Sequence, residues 1–193
     1  MIKINKNFQI EIKKNKKSLT QFSNIFLRPY KKKNVLNGSW KWLNDKRITI
    51  FMDKGHKKHT LNDQLKYFKK INNSNKDILF AIYYKNTHIG NVGLHQINKK
   101  LKTAQFGIVI GNTRYHRKGI GKRVWFEIIK FGFINLNLKK IYTMIVSKNI
   151  ASNKIAKNLG FKKLKKKFFL KKNDIEYEYP KFYLTQKLLK IKI

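Results

Sequence analysis

The stretch 104–121, AQFGIVIGNTRYHRKGIG, constrains this chain more than any other. Phe106 to Ile110 is an apolar run of strand length. A polar turn follows, and then the basic, glycine-bearing run Arg117-Lys118-Gly119-Ile120-Gly121-Lys122. Val124, Trp125, Ile128, Ile129 and Phe131 next fall on one side of a helical pattern. A strand, a basic glycine loop and a helix start, in that order, make a phosphate cradle. The first N–H groups of a helix have no partner within it, and they carry about half a positive charge. Gly119 and Gly121 remove the Cβ atoms that would hold a phosphate away. Alone, the motif also fits an ordinary loop with solvated lysines. The strand before it and the amphipathic helix after it favour the cradle.

The remaining elements fall into place around this unit. Residues 1–23 read as a basic N-terminal extension that could hold a strand pair. Residues 24–29 form a strand ended by Pro29. Val35, Leu36, Trp40, Trp42 and Leu43 suggest a helix broken near Gly38, followed by a short apolar piece at 48–52. Thr60 caps a helix carrying Leu61, Leu65, Phe68 and Ile71 after a loop at 53–60. The runs 78–84, 88–97 and 103–110 predict an antiparallel meander of three strands. A helix at 119–135 and a strand at 139–146 come next. A helix with Ala151, Ile155 and Leu159 is closed by Gly160. Two strand patterns, 161–172 and 175–185, end the chain and join at Asn173-Asp174. Helices do not alternate regularly with strands, so the class is α+β, as a single domain over 24–188.

Composition narrows the chemistry. With 193 residues and 41% hydrophobic content, one domain with a real core is expected. There is no cysteine, which excludes disulfides, thiolate catalysis and cysteine-ligated zinc, and no metal is assigned. The start, MIKINKNFQIEIKK, has charges where a signal peptide needs its apolar stretch, and no apolar run nears the ~18 residues of a membrane span. A cytoplasmic protein is the expectation. The formal charge is +37, yet only five of the 46 basic residues are Arg. Lys, Asn and Ile share A/T-rich codons, so base composition explains much of the excess. Nucleic acid is an open but unfavoured partner, since a protein built to grip phosphates or bases uses more Arg. Whatever its origin, the field favours anionic ligands and repels cationic ones.

The segments FGIVIG, YHRKGIGKRV, IYTMIV and SKNIASNKIAKNLGF, with HIGNVGLHQI before them, resemble the GNAT superfamily of acetyl-CoA-dependent N-acetyltransferases over about residues 24–185. The nearest branch is that of ribosomal-protein and amino-sugar acetyltransferases. The resemblance implies a GNAT-like, mostly antiparallel central sheet flanked by helices. It implies acetyl-CoA as co-substrate and direct attack by an amine, with no covalent enzyme intermediate. By position it assigns the coenzyme to Ile108, Val109 and Ile110 along the strand, with a main-chain N–H at Val109 or Ile110 toward the oxyanion. It assigns the pyrophosphate to His116, Arg117, Lys118, Gly119, Ile120, Gly121 and Lys122, and adds Asn149 and Ser152.

This chain also departs from the family pattern. His116 stands where the family usually has Gln or Arg, and Ala156 where many members have a tyrosine acid. Ser152 then becomes a candidate proton donor to the coenzyme sulfur. Its alternative, shared by Asn149, is a helix-start residue that satisfies backbone groups. Gln105 occupies the place of a common acid and cannot act as a base. His95, at the end of a central strand, is the candidate general base; His56, His59 and His88 are weaker, and a water-relayed base stays open. Glu127 reads as a surface partner for Lys. The acceptor enters beside residues 40–68, whose spacing looks like that of enzymes acting on amino sugars. A nucleotide-linked amino sugar, anionic and so attracted by the field, is the first acceptor. A ribosomal protein N-terminus is the second, and a polyamine such as spermidine would be repelled. A non-catalytic module binding RNA or acetyl-CoA is a third reading, and a homodimer is open.

Overall fold

Three apolar runs separated by two polar turns build the centre of the sheet. They are β3 (Ile78–Tyr84), β4 (Thr87–Asn98) and β5 (Thr103–Ile110) of a computed structural model that describes residues 7–12, 24–52, 58–166, 168–172 and 175–190. On one side the sheet continues through β2 (Ile25–Pro29) to β1 (Ile10–Ile12). On the other it continues through β6 (Lys140–Met144), then β10 (Lys181–Leu184), to β7 (Lys162–Lys163). Its order is β1-β2-β3-β4-β5-β6-β10-β7. Every pair is antiparallel except β5 with β6. β8 (Phe169–Lys172) and β9 (Ile175–Glu178) form a separate two-stranded ribbon.

Alternation along the strands divides the apolar residues between two faces. Phe80, Ile82, Val92, Leu94, Ala104 and Phe106 share one core with Val124, Trp125, Ile128 and Ile129 of α4 (Ile120–Ile134). Ala156 and Leu159 of α5 (Ile150–Leu159) join the same core. The opposite face of β2 and β3 is covered by α1 (Lys32–Leu36) and α3 (Leu61–Asn72). There Tyr30, Val35, Ala81 and Tyr83 pack with Leu61, Leu65 and Phe68. That second layer covers β2 and β3, which leaves the same face of β4 and β5 for a cleft.

Several expectations change in the structure. Residues 10–12, expected within the extension, form an edge strand of the main sheet, and Ile12 is buried in its core. The helix expected across 35–43 does break near Gly38, into α1 and a 3-10 turn at Ser39–Asn44, and a third piece, α2 (Lys46–Thr49), follows. Gly38 breaks the first pair at φ 95, a left-handed conformation that glycine adopts without strain. Asp45 starts the third piece by accepting from the Arg47 N–H, so the stretch expected as an apolar piece begins helical. The two final strand patterns each split, because their outer parts pair with the sheet and their inner parts with each other. His56, the loop residues 53–57 and the Asn173-Asp174 turn lie outside the described residues.

Thr60 does cap α3. Its hydroxyl accepts from the Asp63 N–H, and the Asp63 carboxylate accepts from the Thr60 N–H, 2.9 Å away. Thr60→Ala should cost about 1 kcal/mol and lower Tm by roughly 2–4 °C, measured by thermal denaturation. No helix among the described residues is long and apolar enough to cross a membrane.

Candidate active site

The cradle expected at 117–122 lies at the start of α4. Among the described residues, α4 is the one helix of eight residues or more with no side-chain cap; α3 has Thr60 and α5 has Asn149. Arg117 and Gly119 both have positive φ, 58 and 73, which turns the chain sharply into the helix. Ile120 is fully buried, so only its main chain can meet a ligand there. Arg117, Lys118 and Lys122 add positive charge at the same end. The Arg123 guanidinium is held below its usual range by burial, partly offset by Glu127. Burial likewise raises the Glu127 carboxyl, against Lys130 and Arg123.

A gap opens beside this helix start. β5 pairs with β6 only through Thr103, Ala104 and Gln105. Beyond them β6 stays with β10 as far as Met144, and β5 stays with β4 as far as Ile110. The Thr143 hydroxyl donates to the Phe106 carbonyl (3.3 Å) where the strands part. In a strand, the N–H and C=O of one residue face the same neighbour, and successive residues alternate. Phe106 therefore faces the gap. So does Ile110, whose carbonyl accepts from His116 Nε2–H at 2.8 Å. Gly111, of the other parity, donates back to Ile89 of β4. It follows that Ile108 turns its N–H and C=O into the gap, whereas the main chain of Val109 faces β4. Of the two residues expected to offer the oxyanion donor, Ile110 faces the gap and Val109 does not; Ile108 faces it as well. His116 spends its Nε2–H on Ile110 and so ties the loop to the end of β5.

The start of α5 closes the other side of the cradle. A Cβ built at Gly121 would lie 3.9 Å from Ile155 Cδ1, so the first turn of α4 faces α5. The Asn149 side chain accepts from the Ser152 N–H at 3.1 Å. Asn149 thus has the helix-start role weighed for it. In Ser152 that role falls to the main chain, which leaves the hydroxyl for other work. Asn153 bonds the carbonyls of Val146, Ser147 and Asn149, fixing this turn to the end of β6.

His95 lies on the opposite face of the sheet, beside β5. Its Nδ1 is 3.0 Å from Asp77 Oδ1. Its Nε2 would be 3.0 Å from a Cβ at Gly93 and 4.0 Å from one at Gly107. The ring therefore spans two glycines, and the floor next to the β5–β6 gap is bare. At the other end of the cleft, a β-bulge adds one residue to β4: Ile82 pairs with Gly90, but Tyr83 pairs with His88. The extra residue, Ile89, brings His88 onto the face of Asn91, Gly93 and His95. His88 Nε2–H is shared by Asn91 Oδ1 (2.8 Å) and the Gly90 carbonyl (3.0 Å). Its ring sits 4.9 Å from Trp42 and stacks on Tyr83 at 5.4 Å. The Tyr30 hydroxyl meets Ser39 Oγ at 3.0 Å, and burial raises its pKa. Tyr67 on α3 is pushed up to about 12 by burial, then by Asp77 and Tyr30.

Sequence reasoning gave no role to Asp77, Tyr30 or Tyr67 and ranked His88 low. The pairs Gly93/Gly107 and Tyr83/His88 were the available signal, but both need strand register to be read.

Burial pushes the His88 imidazole below its ordinary range, and its bonds to Asn91 and Gly90 only partly offset this. The folded state then resists protonation that the unfolded chain accepts. The stability this contributes is present above about pH 6.5 and is lost as pH falls from there through the folded pKa. Tm should decline on acidification from pH 7.5 to 5.5, and His88→Gln should flatten that decline.

Known proteins share this fold. The family described as acetyltransferase (GNAT) domain matches residues 24–162. The uncharacterized N-acetyltransferase YoaA of Bacillus subtilis (strain 168) is 31% identical over 75 residues, 39% of this chain and 42% of that protein. The match thus spans less than half of that curated relative. Among solved structures, the spermidine N-acetyltransferase from Vibrio cholerae in complex with CoA and spermine superposes with a TM-score of 0.77 at 19% identity, covering 86% of this chain and 97% of that one. Mycobacterium smegmatis RimJ in complex with CoA-disulfide gives 0.74 at 15% identity, covering 87% and 85%. At these identities the likeness is one of fold.

Proposed function

The chain belongs to the GNAT acetyltransferase family, and from that premise we propose that it moves an acetyl group from acetyl-CoA to a primary amine. One observation carries the reading: the β5–β6 gap and the uncapped start of α4 adjoin, so one extended ligand can use both. The pyrophosphate would sit on the first-turn N–H groups of α4, with Arg117, Lys118 and Lys122 supplying charge. The pantetheine arm would run along Ile108 and Ile110, and the thioester carbonyl would point at the Ile108 N–H.

In this reading His95 Nε2 takes one proton from the incoming ammonium. The freed nitrogen lone pair attacks the thioester carbon, a C–N bond forms, and the carbonyl π electrons move to oxygen. The Ile108 N–H holds that oxyanion; such a donor is typically worth ~3 kcal/mol of barrier. When the intermediate collapses, the C–S bond breaks and its electron pair leaves on sulfur. The remaining excess N–H proton passes to sulfur through the Ser152 hydroxyl or water. The His95 proton returns to solvent.

For the acceptor, a nucleotide-linked amino sugar is our first candidate. The net charge of +37 draws anions toward the cleft. Among the described residues, the acids on the acceptor side are already engaged: Asp45 with Arg47, Asp63 with Thr60, and Asp77 with Ser74 and His95. A polycation such as spermidine would find little to hold it. A ribosomal protein N-terminus is the second candidate, since the same field would dock this chain on ribosomal RNA. The deciding experiment incubates the full chain with acetyl-CoA and a panel of amino-sugar nucleotides, N-terminal peptides and spermidine, and reads thiol release. Turnover with no member of the panel, together with salt-sensitive RNA binding, would replace catalysis by the non-catalytic reading.

A further inference from the structure

The His95 ring is held in place by a residue from another element. Asp77 directly precedes β3, 18 residues earlier in the chain, and its Oδ1 is 3.0 Å from His95 Nδ1. Its other oxygen accepts from the Ser74 hydroxyl at 2.5 Å, and Oδ1 also faces the Gln96 N–H at 3.3 Å. Both members of the pair are largely shielded, with side chains 25% and 18% exposed for His95 and Asp77, so solvent competes weakly for the bond. Burial alone would raise the Asp77 carboxyl. Hydrogen bonds from Ser74 and His95 outweigh it and hold the group below the usual carboxylate range. An ionised carboxylate can only accept, so the proton of a neutral imidazole must sit on Nδ1. Nε2 then keeps its lone pair, and this nitrogen lies over Gly93, while the Cδ2 edge of the ring faces Gly107.

Resting on the acetyltransferase reading above, we infer that Asp77 is the positioning residue for His95: seated by Ser74, it fixes the Nδ1–H tautomer and holds the bare Nε2 over Gly93, where the amine would meet it beside the thioester. An imidazole alone would populate the other tautomer and turn about its χ2. The Asp77 bond removes both freedoms, which is what a general base needs before substrate arrives. The bare floor belongs to the same device. A Cβ at Gly93 would also collide with the Ile78 carbonyl at 2.6 Å, so that strand position admits no side chain under the ring.

The test uses full-length protein with 15N-labelled histidine and needs no amine. Two-bond 1H–15N correlation at pH 7.5 should show the wild-type His95 proton on Nδ1. Asp77→Asn should move more than half of that population to Nε2–H, and Ser74→Ala should leave it on Nδ1. A wild-type proton on Nε2 would overturn the inference even if no variant folded. An unchanged tautomer in folded Asp77→Asn would overturn it as well. The aim of Nε2 is read by diethylpyrocarbonate, with modified histidines located by mass spectrometry. Acetyl-CoA, at a concentration that raises Tm fully, should slow His95 modification by about tenfold or more. An unchanged rate under a full Tm rise would refute the placement toward the thioester. Absence of any Tm rise would instead reject the acetyltransferase reading, while the tautomer measurement still judges Asp77.

Discussion

Gly121→Glu should abolish the rise in Tm that acetyl-CoA produces, yet leave the free protein at least as stable as the wild type. The two effects have different causes. A Cβ at position 121 meets only Ile155 Cδ1 at 3.9 Å, ordinary contact, so the fold has room for a side chain. Residue 121 lies in the first turn of α4, where glycine is a poor helix former and an acid is favoured by the helix dipole. Both terms favour Glu, each by up to about 1 kcal/mol. What the substitution removes is the space and the charge that a pyrophosphate would use. Acetyl-CoA at one hundred times its Kd stabilises by about 2.7 kcal/mol, which is roughly 5–10 °C for a chain of this size. Thermal denaturation with and without acetyl-CoA reads both effects. A wild-type shift in the Glu variant would place the pyrophosphate elsewhere. A large loss of stability without ligand would show that Gly121 serves packing.

What could be read before the structure divides along a physical line. The meander 78–110, the Thr60 cap, the α4 and α5 boundaries and the glycine loop are local: each depends on period, cap or turn chemistry within a few residues. The family resemblance rested on the same local segments, and for that reason it held. The face on which a side chain lands is not local. His88 is an even number of residues from Val92 and Leu94, so simple alternation puts it in the α4 core. One extra residue, Ile89, reverses that, and nothing in HIGNVGLHQI announces a bulge except its glycines. Val109 shows the same limit. Its main chain turns to β4 because Phe106 and Ile110 bond on the gap side, a fact of pairing that no single strand reveals. Asp77 is the third case. It reads as a turn residue after INNSNK, and only the antiparallel return of β4 brings His95 to it.

Gly111→Ala should destabilise the protein by about 1–3 kcal/mol, and Trp42→Ala should remove most of that penalty. Gly111 follows β5 directly and donates to Ile89 at 2.8 Å, which fixes its main chain against β4. A Cβ there would fall inside the Trp42 indole, against the atoms Cδ2, Cε3 and Cγ. Neither side can yield cheaply: the strand end is bonded, and the indole is wedged against His88 at 4.9 Å. The added methyl must therefore displace Trp42 and the 3-10 turn Ser39–Asn44 that carries it. Trp42→Ala alone leaves a void and should cost on the order of 2–3 kcal/mol, below the range for a fully buried Trp because this one is half-buried. In the double variant the methyl enters space the indole has vacated, so the two losses should fall short of their sum by about 1–3 kcal/mol. Urea unfolding of the four proteins measures the difference. An additive result would separate the end of β5 from the 39–44 turn, and with it the proposed coenzyme side of the site from the aromatic wall of the proposed acceptor side.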